Sequence, residues 1–310
     1  YHSFSYQRKS KLMSEHEIFL CRRRYMASWR QTRLTLSRYC IALWIAAVLL
    51  ICPCFVPLQF AQEANGDGHY AALPLGQSTL TIGSLGGLSL SCGERTLIAS
   101  TRVVIATPGW RSTVSQSALE LEDGYPKLSE GAYVFRGSLE DKTSGCVWTF
   151  EQRVEAKGKT AAVTCMVSPS IDTVVAEAAL FIDLPVSSWA GQDVLLVPSN
   201  SGRFPKEQAK PRHFMSGGAI AAVLGAGGES PLTFDFTLPA RCTLQDGREY
   251  GGETYQMYPR LATGGKIAAG TPCRLEFVLK PNDLNAPKVV GVELGATGSA
   301  GIGTIRASSP

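Results

Sequence analysis

The feature that most constrains the fold is a succession of short apolar or β-branched runs, each ended by glycine, proline, serine or aspartate. Runs of this length and alternation are typical of β-strands. The glycine clusters between them punctuate strands rather than cap helices. The predicted strands cover residues 79–85, 88–92, 96–107, 133–139, 147–154, 160–167, 174–184, 194–197, 219–224, 232–238 and 274–279. No long amphipathic helix stands out among them, so the sequence predicts an all-β protein.

The clearest local unit is an antiparallel hairpin over residues 146–167. Cys146, Trp148 and Phe150 share one face of its first arm, because side chains alternate along a strand. Lys157-Gly158 supplies the tight turn, since glycine adopts a positive φ at little cost. Two antiparallel sheets packed face to face would bury such arms. We therefore expect residues 73–281 to form one large two-sheet antiparallel sandwich.

Residues 26–61 have the pattern of an export signal. A basic stretch precedes an apolar run at 41–51, and a small-residue exit with prolines follows, ending near Ala61. The protein would then be exported to the periplasm, the medium or the cell surface. The alternative is a retained signal-anchor helix, because residues 39–62 carry no charge and a membrane-spanning helix needs roughly 20 apolar residues. In that case the 41–60 segment is the only membrane contact.

The remaining boundaries follow from this signal. Residues 1–25 are expected to be a disordered extension upstream of a start at Met26, and residues 62–72 a linker. Residues 282–310 are rich in glycine, serine and alanine, which is typical of a flexible connector. They are expected to be a linker or the beginning of a further domain.

Charge argues against a nucleic-acid partner. The chain carries 30 Lys and Arg against 26 Asp and Glu, but nine of the basic and two of the acidic residues lie in residues 1–61. The part after the signal is therefore slightly acidic. Nucleic-acid binding depends on clustered lysine and arginine, and no such cluster occurs there.

Cysteine use agrees with an oxidising compartment. Five cysteines follow the signal, and an odd number leaves at least one without a partner in the chain. Cys242 and Cys273 are the preferred disulfide, because both lie beside turns rich in glycine and proline near the end of the domain. Cys146 and Cys165 alternate with apolar residues and are expected to be small core residues.

No convincing catalytic or metal-binding pattern occurs in the sequence. His213 is the only interior candidate base, and no Gly-x-Ser-x-Gly elbow supplies a nucleophile for it. Acidic residues are available for a glycosidase pair, but no spacing fixes two of them at the required distance. His69 and His213 are too few and too far apart for a zinc cluster. The sequence therefore predicts no catalytic residue, metal or cofactor.

Aromatic residues in loop-like segments are the remaining functional signal, because such rings favour half-wet contact sites. Residues 250–260 bring three tyrosines, a glutamate and an arginine together in what reads as a glycine-hinged loop. Ordinary packing of loop aromatics is the alternative. The candidate ligand-binding residues are Trp189, Tyr250, Glu253, Tyr255, Tyr258 and Arg260.

Residues 147–167, 181–196 and 273–281 resemble the large N-terminal β-sandwich of exported bacterial glycoside hydrolases, which is similar to the galactose-mutarotase-like supersandwich. The resemblance covers residues 73–281 and rests on strand order and texture. It implies a polysaccharide or oligosaccharide partner and a catalytic domain that follows the sandwich.

Three hypotheses about function remain open. The first is a non-catalytic module that binds or positions polysaccharide. The second is a sugar-active enzyme, mutarotase-like or lyase-like, that uses carboxylates on a sheet face. The third is a membrane-anchored cell-surface scaffold without sugar binding. Fold analogy cannot choose among them.

Overall fold

A computed structural model of the protein describes residues 69–210 and 212–287. The predicted export signal, the upstream extension and most of the terminal linker lie outside these residues. The strands are β1 (His69–Leu75), β2 (Ser78–Gly83), β3 (Leu88–Cys92), β4 (Arg95–Ile98), β5 (Ser100–Ala106), β6 (Thr113–Ser115), β7 (Glu120–Leu121), β8 (Lys127–Ser129), β9 (Ala132–Asp141), β10 (Cys146–Lys157), β11 (Thr160–Pro169), β12 (Thr173–Pro185), β13 (Asp193–Pro198), β14 (Asn200–Arg203), β15 (His213–Leu224), β16 (Leu232–Asp246), β17 (Thr254–Ile267) and β18 (Cys273–Pro281).

Helical structure is slight in the described residues. The helix α1 spans Val186–Trp189, and short 3-10 turns cover Pro108–Trp110, Gln116–Ala118 and Gly247–Tyr250. No helix in residues 69–210 or 212–287 has the length and apolarity needed to cross a membrane. The prediction of an all-β protein is confirmed for this part of the chain.

Every paired strand runs antiparallel to its neighbours. A small sheet has the order β1-β2-β3-β4, and a larger one has the order β6-β5-β12-β17-β16-β18-β11-β10-β9-β7. In the larger sheet β15 pairs with β16, β13 pairs with β15 and β14, and β8 pairs with β9.

Strand β16 divides the larger sheet into two layers. Its first part, residues 232–236, pairs with β18, and its last part, residues 242–246, pairs with β17. The exposed residues 237–239 separate the two parts. We call β18, β11, β10, β9 and β7 the first layer, and β17, β12, β5 and β6, with the end of β16, the second layer. Both contribute to one hydrophobic cluster, so the fold is sandwich-like.

The hairpin predicted at residues 146–167 is confirmed. Strands β10 and β11 pair in register, with Lys157 opposite Thr160 and Gly158 at a φ of 61°. Cys146, Trp148 and Phe150 are buried on the core face, as the alternation of the first arm predicts.

Residues 254–260 belong to a strand, and the expectation of a glycine-hinged loop across 250–260 is wrong beyond the turn at Gly251. Strand β17 pairs with β12 on one side and with β16 on the other, and these ladders satisfy its backbone hydrogen bonds. The predicted strand at 96–107 is divided at Ala99, because β4 pairs with β3 in the small sheet whereas β5 pairs with β12.

All five cysteines of the described residues are free thiols. Cys242 lies opposite Pro259 of β17 and Gly217 of β15, and Cys273 lies opposite Val167 of β11. The structure therefore does not join Cys242 to Cys273, and the disulfide stays a prediction about the oxidised protein.

Thiol labelling distinguishes the two states. Burial raises the pKa of the Cys165 and Cys242 thiols to about 12, so only about one in 10,000 is ionised at pH 8. Among these five cysteines of the native protein, we expect iodoacetamide to label half-buried Cys92 first, measured by peptide mass spectrometry. Without reductant, unfolding should expose all five thiols. If Cys242 and Cys273 alone stay unlabelled until a reductant is added, the two form the disulfide.

Candidate functional site

The side of the second layer that faces away from the core carries a dense set of polar and aromatic side chains. On β12, Ile182 and Leu184 point into the core, so Phe181 and Asp183 lie on the opposite side because strand side chains alternate. The same alternation holds on the neighbouring strands. We call this surface the outer face, and its polar and aromatic residues are Ser100, Arg102, Glu177, Phe181, Asp183, Thr243, Gln245, Gln256, Tyr258 and Arg260, with His213 of β15 beside Gln245.

A row of hydrogen-bonded side chains crosses the outer face, and we call it the ladder. Ser100, Asp183, Gln256, Gln245 and His213 are direct register partners on five neighbouring strands. Asp183 accepts hydrogen bonds from Ser100 Oγ at 2.7 Å and from Gln256 Nε2 at 3.0 Å. Gln245 Nε2 donates to Gln256 Oε1 at 3.4 Å. His213 Nε2 lies 2.8 Å from Gln245 Oε1, so the ladder ends on an imidazole.

A second row, two residues from the ladder along each strand and on the same face, is aromatic. Phe181 and Tyr258 lie near each other on β12 and β17, and their rings stack with centroids 4.8 Å apart and planes 6° from parallel. Trp110 packs edge-on against Phe181 at 6.3 Å. Arg102, directly opposite Phe181 on β5, has its guanidinium 5.9 Å from that ring. Aromatic pairs of this kind stabilise a fold by about 0.5–1.5 kcal/mol in addition to the hydrophobic contribution of their buried area. The row therefore stabilises the strands that carry the ladder.

Two carboxylates of the outer face are each paired with an arginine. Asp183 binds Arg102, and Glu177 binds Arg260. The two acids lie six residues apart on β12, which corresponds to roughly 20 Å along a strand, somewhat less at the bulge after Ala178. A glycosidase pair needs carboxyl groups about 5–10 Å apart. Asp183 and Glu177 therefore cannot act as such a pair.

The tyrosine next to the ladder is held in its neutral form. Burial raises the pKa of Tyr258 to about 12, and the negative charge of Glu177 adds to this, while Arg260 and Arg212 oppose it. Its hydroxyl lies 3.1 Å from His213 Nε2. At neutral pH Tyr258 can therefore donate or accept a hydrogen bond at the end of the ladder.

Only some of these groups are open to a ligand. His213 is exposed and Trp110 is half-buried, and the side chains of Arg102 and Arg260 are about one fifth exposed, at 23% and 19%. Phe181 and Tyr258 are buried beneath them. A shallow groove of about 350 Å³ adjoins His213 and is lined by Asn200, Ser201, Gly202, Arg203, Phe214, Met215 and Ser216.

The loop at residues 205–210, just before His213, is fastened by an ion pair. Arg248 donates hydrogen bonds to three backbone carbonyls of this loop, at residues 205, 206 and 207, over 2.7–2.9 Å. It also binds the fully buried carboxylate of Asp246, which accepts a hydrogen bond from the Ala209 N–H at 2.8 Å. Burial alone would raise the pKa of Asp246, but the hydrogen bonds from Arg248 and from backbone N–H groups outweigh it and lower that pKa.

Two of the residues predicted as ligand contacts are buried in the core, and the expectation that they are exposed is wrong. Trp189 has no exposed surface, and its Nε1 donates to the Leu97 carbonyl at 2.8 Å. Tyr255 is also fully buried, because odd-numbered residues at the start of β17 face the core, and its hydroxyl donates to the Pro205 carbonyl. Both rings stabilise the fold and cannot touch a ligand.

The other four predicted residues are divided between two places. Tyr258 and Arg260 lie on the outer face, but Tyr258 is only 4% exposed, so the expectation that its ring is exposed is wrong as well. Tyr250 is exposed in the 3-10 turn and contacts Arg212. Glu253 is exposed in the connection that precedes β17. Sequence reasoning missed the glutamines of the ladder and Arg102, although the alternation of polar Gln256, Tyr258 and Arg260 with apolar neighbours was a usable signal for a strand face.

The described residues contain no group of three or more histidine, cysteine, aspartate or glutamate side chains arranged to hold a metal ion. The side chains of the outer face form hydrogen bonds and ion pairs, and His213 and the hydroxyl of Tyr258 lie 3.1 Å apart.

No protein-family model and no curated protein matches the sequence. Similar solved structures include a galactose mutarotase-like protein from Lactobacillus casei ATCC 334, with 10% identity over 69% of this chain and 100% of that chain and a TM-score of 0.47. A galactose mutarotase related enzyme from Lactobacillus acidophilus shares 8% identity over 68% and 96% of the two chains, with a TM-score of 0.36.

A GH36 alpha-galactosidase from Geobacillus stearothermophilus, solved in complex with stachyose, shares 14% identity with a TM-score of 0.36. The match covers 59% of this chain and 27% of that enzyme, so this chain corresponds to about a quarter of it. These are the kinds of protein that the sequence resemblance names.

Proposed function

We propose that this chain is an exported, non-catalytic, carbohydrate-associated sandwich of the galactose-mutarotase-like supersandwich type, and that its outer face binds an oligosaccharide or polysaccharide. The observation that supports this most is that the ladder, whose Asp183, Gln245 and Gln256 are buried, ends on the exposed imidazole of His213. Sugar hydroxyls need directional partners of this kind, and a half-buried ring such as Trp110 can pack against the C–H face of a sugar.

The pairing of charges supports a binding role over hydrolysis. Asp183 and Glu177 are both neutralised by arginines and lie too far apart along β12 to share a glycosidic bond. Their role is to hold Arg102 and Arg260 in place, where the partly exposed guanidinium groups can donate hydrogen bonds to ligand oxygens.

The proposal includes the cellular setting. Export depends on residues 26–61, and membrane contact arises only through residues 41–60 if the signal is retained. Residues 282–310 would connect the sandwich to a downstream catalytic domain, so that the outer face positions polysaccharide for it.

A second candidate is a sugar-active enzyme that moves protons rather than hydrolyses bonds. The observation that favours it is the 3.1 Å separation between His213 Nε2 and the Tyr258 hydroxyl, which places two proton-exchanging groups together. Such a site could interconvert the anomers of a free sugar. It needs no carboxylate pair.

Binding of the full chain to a panel of immobilised glycans tests the proposal. We expect one class of glycan to bind, and His213→Ala to weaken that binding about tenfold, the effect of one good hydrogen bond to the ligand. The melting temperature should fall by only a few degrees, because His213 is exposed and the Tyr258 hydroxyl lies 3.5 Å from Gln245 Oε1, the acceptor that loses its imidazole donor. Affinities from isothermal titration calorimetry, alongside thermal melts, provide the measurement.

The matched control is His69→Ala, which removes the other histidine of the described residues, also exposed and on β1. Its affinity should equal that of the wild type. Binding without any sugar conversion supports the module, whereas faster equilibration of pure anomers, lost in His213→Ala, supports the second candidate. Absence of binding to every glycan, or equal losses in both variants, would refute the proposal and leave the surface-scaffold hypothesis.

A further inference from the structure

We propose that the Asp183–Gln256–Gln245 ladder fixes His213 as the tautomer with hydrogen on Nε2, so that its bare Nδ1 is a hydrogen-bond acceptor for a ligand hydroxyl. The assignment of the tautomer stands on the contacts of the ladder. The assignment of the acceptor to a ligand hydroxyl rests on the proposed carbohydrate-binding function.

The argument begins at Asp183, whose ionised carboxylate can only accept hydrogen bonds. It accepts from Ser100, Arg102 and Gln256. The atom that Gln256 turns toward Asp183 must therefore be its Nε2, at 3.0 Å. This fixes the orientation of an amide whose oxygen and nitrogen look alike to most structural methods.

The orientation of the Gln256 amide determines the orientation of the Gln245 amide. With Nε2 of Gln256 toward Asp183, its Oε1 faces Gln245 and requires a donor, which is Gln245 Nε2 at 3.4 Å. Oε1 of Gln245 then faces His213 Nε2 at 2.8 Å. An amide oxygen cannot donate, so His213 Nε2 must carry the hydrogen. Neutral imidazole has one N–H, which leaves Nδ1 as an acceptor.

Tyr258 is the one competing partner of His213 Nε2 among the described residues. Its hydroxyl lies 3.1 Å from that nitrogen and 3.5 Å from Gln245 Oε1. If Tyr258 donated to a bare Nε2, the lone pairs of Nε2 and Gln245 Oε1 would face each other at 2.8 Å. The ladder excludes that arrangement, so Tyr258 acts as an acceptor from Nε2 or donates elsewhere.

The opposite atom of the ring is available to a ligand. No described residue forms a hydrogen bond with Nδ1, and His213 is exposed. The outer face would therefore offer an acceptor at His213 and donors at Arg102 and Arg260. A ligand hydroxyl at His213 donates its hydrogen to Nδ1, and an analogue in which that hydroxyl is methylated cannot.

The tautomer can be measured directly, without any ligand, by ¹⁵N–¹H correlation of the histidine rings in the full chain near pH 8.5, where imidazoles are neutral. His213→Ala identifies the His213 signals. We expect Nε2 to show the protonated type of nitrogen and Nδ1 the bare type. A wild-type spectrum with hydrogen on Nδ1 would overturn the proposal without any need for a variant.

Two variants then separate the ladder from Tyr258. Gln256→Leu disconnects Gln245 from Asp183, and we expect a mixture of both tautomers. Tyr258→Phe removes the competing hydroxyl but keeps the stacked ring, and we expect the Nε2–H form to persist. An unchanged spectrum in Gln256→Leu, or a mixture in Tyr258→Phe, would overturn the role given to the ladder.

The ligand arm is read separately. If glycans bind, the methylated analogue of the contacted hydroxyl should bind about tenfold more weakly to the wild type and equally to His213→Ala. A single tautomer with no glycan binding would refute the proposed function and support the tautomer assignment. Glycan binding with a mixture of tautomers would support the proposed function and refute the tautomer assignment.

Discussion

Replacing Trp189 with alanine should lower the free energy of unfolding by about 3–5 kcal/mol, the range for a large buried aromatic residue. The ring has no exposed surface and packs 6.0 Å from Phe204, and the Arg95 guanidinium lies 5.1 Å from it. The variant also leaves the Leu97 carbonyl without its donor. Urea denaturation followed by circular dichroism measures the change.

Trp110→Ala is the matched control. Trp110 is half-buried against the outer-face aromatics, and we expect a loss of about 1 kcal/mol with weaker glycan binding. Trp189→Ala should therefore mainly lower the free energy of unfolding, whereas Trp110→Ala should mainly weaken the proposed glycan binding. Equal losses of stability would show that Trp110 is part of the core, which would contradict its place at the outer face.

Replacing Arg248 with methionine should lower the free energy of unfolding by about 3 kcal/mol. The variant leaves the Asp246 carboxylate buried without its partner, and removing one member of a buried pair typically costs about 3–5 kcal/mol. The lower end applies because Arg248 is 21% exposed. Three backbone carbonyls of the 205–210 loop also lose their donor, so the glycan binding proposed at the neighbouring His213 should weaken.

The pH dependence of this loss provides a second check. Because the pKa of Asp246 is lowered in the folded protein, its contribution is present above the ordinary aspartate pKa near 4 and disappears as the pH falls through the folded value. The stability difference between wild type and Arg248→Met should therefore narrow below about pH 4. Arg203→Met removes an exposed ion pair with Asp193, and its free energy of unfolding should equal that of the wild type at every pH. A loss of stability in Arg203→Met similar to that in Arg248→Met would contradict the argument from burial.

The strands of the core were predictable because their side chains alternate locally. Residues 146–167 contain both arms and the turn of the hairpin, so pattern and turn chemistry agree within 22 residues. Strand β17 was missed because the glycines at 251 and 252 and three nearby tyrosines suggested a loop, although Tyr255 and Met257 already alternate with Gln256 and Tyr258.

The ladder could not be predicted from spacing. Its members come from five strands that are far apart in the sequence. Ser100 and Gln256 come into one row only because both are register partners of Asp183. Register of this kind is set by non-local pairing and by bulges, which the local pattern does not specify. Burial raises the same difficulty, since Trp110 and Trp189 both stand beside turns and only packing separates them.

The passage of β16 through both layers has a consequence for how the domain unfolds. Residues 232–236 hold the first layer and residues 242–246 hold the second, so a disruption that frees this strand removes a neighbour from each. If one layer unfolds and releases β16, the other layer loses a strand as well. The two layers should therefore unfold together rather than as separate cooperative units. Long-range pairings of this kind also give the domain a high contact order, and chains with that property fold slowly.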